Sequence, residues 1–489
     1  MVVSFSFFIA FWLFFAPAAS DPLDGQLKKF LDLVSVVETE NADPVDGAKA
    51  FHEGAIPGML KRLDPHSVFF DPGQFQQLQE MQRSTSKGFG TVVSLLPGRV
   101  IVLQTLPGTP AAKSGISAGD EIIGINGIPL NRLEVEQLVQ LLSESRQQKV
   151  GLDVRRPGNA RVLQFVLTPE EVESPSVDRA FFLKPDIGFV RVASFDNDTG
   201  KLIKAAIEKL GGNSLKGLVL DLRNNPGGVL PAALETAGLF LKPGQRILSI
   251  KGRAKKDDEA TVKPNATPYT FPVAVLVNGK SASASEIVAG AMQDHDRATI
   301  IGEPSYGKGL VQSVFPLSHG TGLALTTAFY YTPSGRSIQK HLAGALNEAT
   351  ATDRAENTTV YHTDSGRAVK GGGGIQPDQI VHPDGVTPLR AVLETTGAFP
   401  NFATSYVRRH DDIKGDFEAP STVLDEFRVL LSQNNIRPSV SEWSQESDWI
   451  RNRLSQEILN QALGVATGDE VEAKMDPQVQ AALKAIGAL

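Results

Sequence analysis

The sequence predicts a multidomain α/β protein with a helical region at each end. Its 489 residues are too many for one hydrophobic core and suggest two to four domains. Apolar residues recur at helical spacing before residue 84 and again after residue 385. Between residues 171 and 385, buried strands instead alternate with helices, which is typical of an α/β core with a largely parallel sheet.

The composition is that of an ordinary folded protein, and it excludes several kinds of chemistry. Hydrophobic residues make up 41% of the chain and charged residues 21%, so disorder is not expected. The formal net charge of −7, without any block of Lys or Arg, argues against a nucleic-acid partner. The absence of cysteine excludes disulfides, thiolate nucleophiles and cysteine-based zinc sites. We expect no metal and no cofactor.

Residues 1–20 are predicted to be a targeting segment. Residues 2–15 are nearly all apolar, and the small residues Ala16–Ser20 follow them. This order predicts a signal peptide cleaved near Ala18–Ser20, although no Lys or Arg precedes the apolar run. Because the run is shorter than the ~20 residues of a spanning helix, the alternative is a short membrane anchor. We expect an exported protein, periplasmic or extracytoplasmic, with membrane association through residues 2–15 left open.

Residues 21–83 are predicted to form a helical N-terminal domain. Apolar side chains repeat at helical spacing in two stretches, at Leu27, Phe30, Leu31 and Val34 and again at Met59, Leu60 and Leu63. We place the end of this domain before residue 84, where the pattern changes.

Residues 84–170 have a β-rich pattern. Two strand-forming runs follow Gly88-Phe89-Gly90, and Asn126-Gly127 later predicts a hairpin turn. With Val135–Leu142 as a helix, this order resembles a PDZ domain. Such domains bind an extended C-terminal peptide as an added strand and hold its carboxylate on backbone N–H groups.

The PDZ resemblance implies a peptide-carboxylate site at Gly88, Phe89 and Gly90. The alternative is that the two glycines form only a tight turn, which glycine does in many loops. We favour carboxylate binding because the whole segment fits the order of a PDZ domain.

Residues 171–385 are expected to form the α/β core, and residues 386–489 a helical C-terminal region to which we assign no chemistry. Within the core, Asn224–Gly228 follows one predicted buried strand and Ser281–Ser285 follows another, Val273–Val277. Chemistry in parallel sheets gathers beyond the carboxyl ends of the strands. We therefore expect these two segments to lie close together.

The most informative chemistry is a serine at a predicted helix start and a lysine held between glycines further along the chain, Ser283 and Lys308. A lysine can act as a general base only if its amine is neutral, so burial must lower its pKa well below about 10.4. Ser283 and Glu286 also fit an S-x-x-E capping box. The two interpretations are compatible, because a helix N-terminus offers N–H groups to an oxyanion.

With these segments, the sequence resembles the carboxyl-terminal processing peptidases, a family of serine endopeptidases. The similarity spans roughly residues 30–385, in the order that the family shows. The segments that resemble the family are Leu63–Phe70, Asp221–Gly228, Asn278–Ile287, Gly302–Gln312, Tyr331–Gln339 and Gly372–Asp378. The resemblance implies a crotonase-like α/β serine-protease core behind the PDZ domain.

The resemblance also implies roles for individual residues. Ser283 would be the nucleophile, rather than its neighbours Ser281 and Ser285, and Lys308 the general base. Gln312 would orient the lysine, and Glu286 would support the site or serve only as a helix cap. The oxyanion hole would use the N–H groups of three residues, which are Ala284, Gly227 and Gly228.

We therefore expect an enzyme that cleaves protein or peptide substrates with free C-termini, with a PDZ domain that selects substrates or gates the site. An adaptor protein and a homo-oligomer are left open. Two alternatives belong to other classes. One is a catalytically idle PDZ scaffold, against which the intact Ser283, Lys308 and Gln312 argue. The other is a crotonase-like acyl-CoA enzyme, which would need an acidic residue in its pocket and no serine-lysine pair.

Two other motifs are weaker indications of function. Gly302–Gly309 nearly spells a phosphate-binding P-loop, but Gly309 stands where a Ser or Thr should hold Mg²⁺. Asp294-His295-Asp296 could be taken for a metal site or a Ser-His-Asp triad. We expect a surface histidine near a helix end there instead.

Overall fold

The computed structural model describes residues 22–81, 85–146, 148–253, 257–340 and 359–488. The predicted signal peptide or anchor, residues 1–20, lies outside these ranges. No helix among the described residues combines the length and the apolar character that crossing a membrane requires.

The N-terminal region is helical, as predicted, but it also contributes a strand to the core. Its elements are α1 (Pro22–Glu40), α2 (Gly47–Lys49), a π-helical turn (Ala50–Ala55), α3 (Ile56–Leu63), β1 (Val68–Phe70) and α4 (Pro72–Met81). Strand β1 pairs antiparallel with residues 322–324 of the core. The N-terminal region is therefore anchored to the part of the molecule that carries the predicted catalytic residues.

The predicted PDZ region forms a sheet of short antiparallel strands. The elements are β2 (Thr85–Gly88), β3 (Thr91–Leu96), β4 (Arg99–Thr105), α5 (Pro110–Ser114), β5 (Glu121–Ile125), β6 (Ile128–Pro129), a 3-10 turn (Leu130–Arg132), α6 (Val135–Ser145), β7 (Val150–Arg155), β8 (Leu163–Leu167) and β9 (Glu170–Glu173). Within the described chain the main sheet has the order β3-β4-β5-β7-β8, with β6 on β5, and β2 and β9 pair in a separate two-stranded sheet. Asn126 and Gly127 both have positive φ, which confirms the hairpin turn between β5 and β6.

Among the described residues, the core contains two large sheets and a separate two-stranded hairpin near residues 360–370. Its first elements are β10 (Val177–Lys184), β11 (Ile187–Val192), α7 (Thr199–Lys209), a 3-10 turn (Gly212–Ser214), β12 (Gly217–Asp221), α8 (Leu230–Gly238), β13 (Arg246–Lys251) and β14 (Asp258–Thr261). They are followed by β15 (Val273–Val277), α9 (Ala284–Asp294), β16 (Ala298–Gly302), β17 (Leu310–Pro316), a 3-10 turn (Ser318–Gly320), β18 (Gly322–Tyr331), β19 (Val360–His362), β20 (Ala368–Lys370) and β21 (Gln379–Ile380).

One of these sheets is the predicted parallel sheet. Its order in the described residues is β10-β11-β12-β15-β16-β21, and only the β10–β11 pair is antiparallel. The other sheet has the order β1-β18-β13-β14 with β17 also on β18. Strands β12 and β15 are buried along their whole length, which explains their continuous apolar sequences.

The C-terminal region is helical, as predicted, and completes the core. Its helices are α10 (Pro388–Thr395), α11 (Ala398–Val407), α12 (Ser421–Gln433), α13 (Val440–Leu463), α14 (Val465–Met475) and α15 (Pro477–Ala485). Helices α7, α8 and α9 cover one face of the parallel sheet, where they pack against strand residues such as Leu218 of β12 and Val275 of β15. The opposite face, with Val219 and Leu276, packs against Val479 and its neighbours on α14 and α15. The sheet is thus enclosed between two helical layers.

The PDZ sheet also contacts the C-terminal helices. The Arg99 guanidinium donates to Asn401 Oδ1 at 3.2 Å, and the Val465 N–H donates to Gln104 Oε1 at 3.0 Å. The Arg408 guanidinium donates to the carbonyl of Pro157. Strand β3 stays at the edge of its sheet, where an added strand could pair with it. The predicted domain boundaries at residues 20, 83, 170 and 385 stay predictions.

Candidate active site

Three adjacent strands of the parallel sheet end at the same edge, and each is followed by a predicted site segment. Residues 224–228 follow β12, residues 281–283 follow β15, and the segment that leads to Lys308 follows β16. Because parallel strands all point the same way, their carboxyl ends converge there. The structure thus brings together the segments whose proximity the sequence predicted.

The three serines of this region have different environments. Ser281 and Ser285 are fully buried, and their hydroxyls donate to the carbonyls of Leu222 at 2.7 Å and Asn225 at 3.0 Å. Ser283 is only partly buried and precedes helix α9. Its backbone has φ 54° and ψ −112°, a strained conformation that is concentrated at functional sites. Of the three, Ser283 is therefore the serine that is open to a substrate.

The glycine turn lies directly beside Ser283. A Cβ atom on Gly227, which has φ 98°, would lie 2.8 Å from the Ser283 Cβ and 2.9 Å from the Ala284 nitrogen. The Gly227 N–H donates to Asn225 Oδ1 at 2.8 Å. Among the described residues, the N–H groups of Gly228 and Ala284 have no acceptor. Two N–H groups without an acceptor therefore lie near the serine. Gly227 has its own N–H bonded to Asn225, and its lack of a side chain leaves room for the serine.

Asn225 is the fully buried side chain that holds this turn in place. Its amide nitrogen donates to the carbonyl of Val192 at 2.7 Å, and its carbonyl oxygen accepts from Gly227. Its backbone oxygen accepts from Ala282 N at 3.0 Å, which joins the turn to the serine segment. The sequence analysis assigned no role to this residue.

Lys308 and Gln312 are in direct contact. The lysine Nζ donates to Gln312 Oε1 at 2.6 Å. Burial lowers the pKa of Lys308 from its ordinary value, although the charges of Asp64 and Glu286 partly oppose this effect. Within the described residues, Lys308 Nζ makes no hydrogen bond to Ser283. Catalytic hydrogen bonds are often long without substrate and tighten when it binds.

Glu286 links the serine and lysine segments through a fully buried carboxylate. One oxygen accepts the N–H groups of Ser283 at 2.8 Å and Lys308 at 2.9 Å. The other accepts the Ser305 hydroxyl at 2.5 Å and the Gly307 N–H at 2.7 Å. Burial raises the pKa of Glu286, and these four hydrogen bonds oppose that rise. Glu286 therefore bonds back to Ser283 as a helix cap and also connects the two segments.

Two further residues at the site were missed by the sequence analysis. The buried Tyr330 hydroxyl lies 2.7 Å from the Lys308 carbonyl oxygen and 3.2 Å from that of Ser283. The Ser305 hydroxyl, besides donating to Glu286, accepts the Ile375 N–H at 2.7 Å. Ser305 lies within the family-like segment Gly302–Gln312, and Tyr330 directly precedes another. The family resemblance thus pointed to the neighbourhood of both residues, but it did not predict their contacts.

The segment Asp64–Ser67 reaches the same site. The sequence places it in the family resemblance and suggests a structural role for His66. The structure adds that the Gln312 amide donates to the His66 carbonyl. Asp64 is fully buried, and its charge acts on Lys308. The pKa of His66 is lowered by burial and by the charge of Lys308.

Asp221 and Arg223 lie behind the glycine turn. The Arg223 guanidinium pairs with Asp221 at 2.7 Å and with Asp476 at 2.5 Å, and it donates to Gln478 Oε1 at 2.8 Å. Asp476 is the N-cap of helix α15, and Gln478 lies in its first turn. This pair therefore joins the turn to the C-terminal region.

The Asp294-His295-Asp296 motif has structural partners. Asp294 pairs with the fully buried Arg336 at 2.7 Å, and Asp296 pairs with Arg367 at 3.0 Å. The His295 ring contacts Asp364 and the Arg246 carbonyl, at 2.8 and 2.7 Å. The ring is mostly buried, so the expectation of a surface histidine was wrong. The hairpin β19–β20, which supplies Asp364 and Arg367, covers it.

The predicted carboxylate-binding residues line a groove in the PDZ sheet. Gly88, Phe89 and Gly90 border it together with Val93 of β3 and Leu142 of α6. The carbonyls of Phe89 and Gly90 accept from Ala111 and Leu106. Among the described residues, the N–H groups of Phe89 and Gly90 have no acceptor.

Comparison with known proteins gives two family matches. Residues 186–346 match the model of peptidase family S41, and residues 78–155 match that of the PDZ domain. The chain is 38% identical to a carboxy-terminal-processing protease of Bartonella bacilliformis, over 64% of this chain and 73% of that protein. It is 37% identical to the chloroplastic carboxyl-terminal-processing peptidase 2 of Arabidopsis thaliana, over 58% of each chain.

A solved photosystem II D1 C-terminal processing protease is also similar, at 26% identity. The match covers 72% of this chain and 86% of that chain, with a TM-score of 0.39. The S41 match lies within residues 171–385, and the PDZ match includes the groove residues Gly88, Phe89 and Leu142. The peptidase match favours neither the acyl-CoA enzyme nor the idle scaffold. The chain belongs to the carboxy-terminal-processing proteases, serine peptidases of family S41 that contain a PDZ domain.

Proposed function

We propose that this peptidase is an exported endopeptidase that cleaves proteins near their C-termini through a Ser283–Lys308 dyad. Gln312 orients the lysine, and the PDZ groove binds the free C-terminus of the substrate. The observation that carries the proposal is the Glu286 oxygen that accepts the N–H groups of both Ser283 and Lys308. This shared acceptor holds nucleophile and base segments side by side, which catalysis by a positioned pair requires.

The chemistry follows from the arrangement of these groups. Ser283 Oγ attacks the peptide carbonyl carbon while the neutral Lys308 amine takes its proton. The developing oxyanion accepts the N–H groups of Gly228 and Ala284. When the tetrahedral intermediate collapses, the C–N bond breaks and the lysine returns the proton to the leaving amine. Water then hydrolyses the acyl-enzyme by the same route, with Lys308 again as the base.

Substrate selection is assigned to the PDZ groove. The peptide would add as a strand to β3, the edge of its sheet, with its carboxylate on the N–H groups of Phe89 and Gly90. The apolar side chains of Val93 and Leu142 would contact the last side chain of the peptide. Binding there raises the local concentration of the substrate tail and can gate the site.

Export is proposed from the apolar run at residues 2–15 and the small residues that follow it. Fractionation of cells expressing the full chain with a C-terminal tag, with mass spectrometry of the mature N-terminus, tests this. An extracytoplasmic protein, cleaved near Ala18 or still intact in the membrane, supports export. A cytoplasmic protein that retains residues 1–20 contradicts it.

The dyad is tested with wild type, Ser283→Ala and Lys308→Ala on an unfolded protein such as casein. We expect both variants to lose cleavage while circular dichroism shows an unchanged fold. Ser214→Ala is the control, because its exposed hydroxyl donates to the Gly211 carbonyl outside the site, and it should still cleave casein. Cleavage by Lys308→Ala at the rate of wild type would refute the dyad.

A further inference from the structure

We propose that the loop Asp64–Ser67 is a positioning element of the catalytic site, which fixes the amide of Gln312 and through it the amine of Lys308. The loop belongs to the N-terminal helical region, outside the peptidase core. This inference rests on the proposed function, in which Lys308 is the general base. It extends the site to a third part of the chain.

The first step concerns which end of the Gln312 amide faces the lysine. Gln312 Oε1 accepts from Lys308 Nζ at 2.6 Å, and Nε2 donates to the His66 carbonyl. A neutral amine has N–H donors and one lone pair. An amide oxygen that accepts an N–H leaves the lone pair free for the serine proton. A flipped amide would donate to that lone pair and block the base, so the His66 carbonyl selects the productive orientation.

The second step concerns what holds the His66 carbonyl in place. Asp64 Oδ1 accepts the N–H groups of His66 and Ser67, both at 2.8 Å, and Oδ2 accepts the Ser67 hydroxyl at 2.8 Å. The Ser67 hydroxyl oxygen in turn accepts the Thr326 N–H at 3.2 Å. Thr326 lies on β18, the strand that pairs with both β1 and β17. The loop is therefore tied to the sheet that carries Gln312.

The third step concerns charge. Burial lowers the pKa of Lys308, and the carboxylates of Asp64 and Glu286 act in the opposite direction. His66 faces the lysine from the same loop, and the Tyr330 hydroxyl contacts the Lys308 carbonyl. The charge of Asp64 thus favours protonated lysine, while its hydrogen bonds position the loop. The two effects can be measured separately. Losing the hydrogen bonds of Asp64 lowers the maximal kcat, whereas losing its charge moves the pH profile of kcat.

The experiment measures kcat against pH on a fluorogenic peptide for wild type, Asp64→Asn and Ser67→Ala. Asp64→Asn should lower the maximal kcat about 10- to 100-fold, the cost of a misplaced catalytic group. It should also move the acid limb to lower pH. Ser67→Ala removes no charge, so it should lower the maximal kcat and leave the limb in place. Asp71→Asn is the matched control, since Asp71 only caps the Gln74 N–H after β1, and its profile should match wild type.

Several outcomes would overturn the inference. The positioning role is refuted if Asp64→Asn and Ser67→Ala keep the maximal kcat of wild type. It is also refuted if their losses of kcat equal the fraction of unfolded protein seen by circular dichroism. If Asp64→Asn does not fold, Ser67→Ala decides alone, and an unchanged maximal kcat refutes it. The Lys308→Ala variant distinguishes failure of the proposed dyad from failure of the proposed role of the loop. Activity in that variant refutes the dyad itself, whereas an inactive Lys308→Ala beside unaffected loop variants refutes only the loop.

Discussion

The backbone N–H groups of Ser283 and Lys308 donate to the same carboxylate oxygen of Glu286, at 2.8 and 2.9 Å. The two residues come from different loops at the carboxyl edge of the parallel sheet. One buried side chain therefore connects the serine segment to the loop of residues 303–309 between β16 and β17.

Glu286→Gln should lower kcat about 100-fold, because loosening the serine relative to the lysine misplaces the reacting groups. An amide has one acceptor oxygen, so at least one of the buried donors loses its partner. We expect a loss of about 1–3 kcal/mol in the free energy of unfolding. Steady-state kinetics and chemical denaturation measure both. Glu303→Gln is the control, because in the described part of the chain the Glu303 carboxylate bonds to the exposed His382 ring. Wild-type kcat in Glu286→Gln would contradict the linking role.

The pH dependence of kcat/KM should report the lysine. The base must be unprotonated, so activity is lost as the pH falls through the pKa of Lys308. Because burial lowers that pKa, the midpoint of the acid limb should lie below the ordinary 10.5. Lys308→Arg should be inactive at every pH, because a guanidinium stays protonated. Rates on a fluorogenic peptide, with circular dichroism at each pH, test this. A limb at or above 10.5 argues for another base.

Gly227→Ala should remove activity through a steric effect. The new Cβ would lie 2.6 Å from the Ala282 carbonyl oxygen and 2.8 Å from the Ser283 Cβ. We expect a loss of about 10²–10³ in kcat, similar to removing an oxyanion donor. Gly244→Ala is the matched control, since Gly244 also has positive φ but has open space around it. Both variants should lose about 1–2 kcal/mol of stability from backbone strain. Equal kcat in the two would show that the clash is harmless.

The PDZ groove should bind peptides through Leu142 and a free carboxylate. In a Ser283→Ala background, Leu142→Ser should weaken the binding of a labelled peptide about tenfold or more, because apolar contact is lost. Val139→Ser is the control on the same helix, where the side chain is half exposed and outside the groove. Fluorescence anisotropy measures both, together with a C-terminally amidated peptide. If the amidated peptide binds as tightly as the free acid, the carboxylate site is refuted.

The part of the site that lies along the sheet edge was predictable. Strands β12 and β15 are apolar throughout, so the sequence indicated buried parallel strands, and the segments after them had to meet. The proximity of Gly227 to Ser283 follows from that rule. The capping pattern of Ser283 and Glu286 was also visible, although it did not show that Glu286 reaches Lys308. The catalytic roles of these residues stay predictions until the variants are measured.

Other contacts could not be predicted from local pattern. His66 and Gln312 are 246 residues apart, and Arg223 and Asp476 are 253 apart. Nothing in the apolar periodicity of residues 21–83 indicates that β1 joins a sheet of the core. Likewise, the amphipathic C-terminal helices could have packed on any apolar surface.

The order of the regions, the two buried strands with the site at their carboxyl edge, and the resemblance that the comparisons confirm could all be read from the amino-acid sequence. These properties depend on residue type and short spacing, which a chain carries before it folds. Two other features become visible in the folded chain alone: α14 and α15 cover the second face of the parallel sheet, and the Asp64–Ser67 loop reaches Gln312. Such contacts depend on how separate surfaces pack together, and packing is a property of the whole fold.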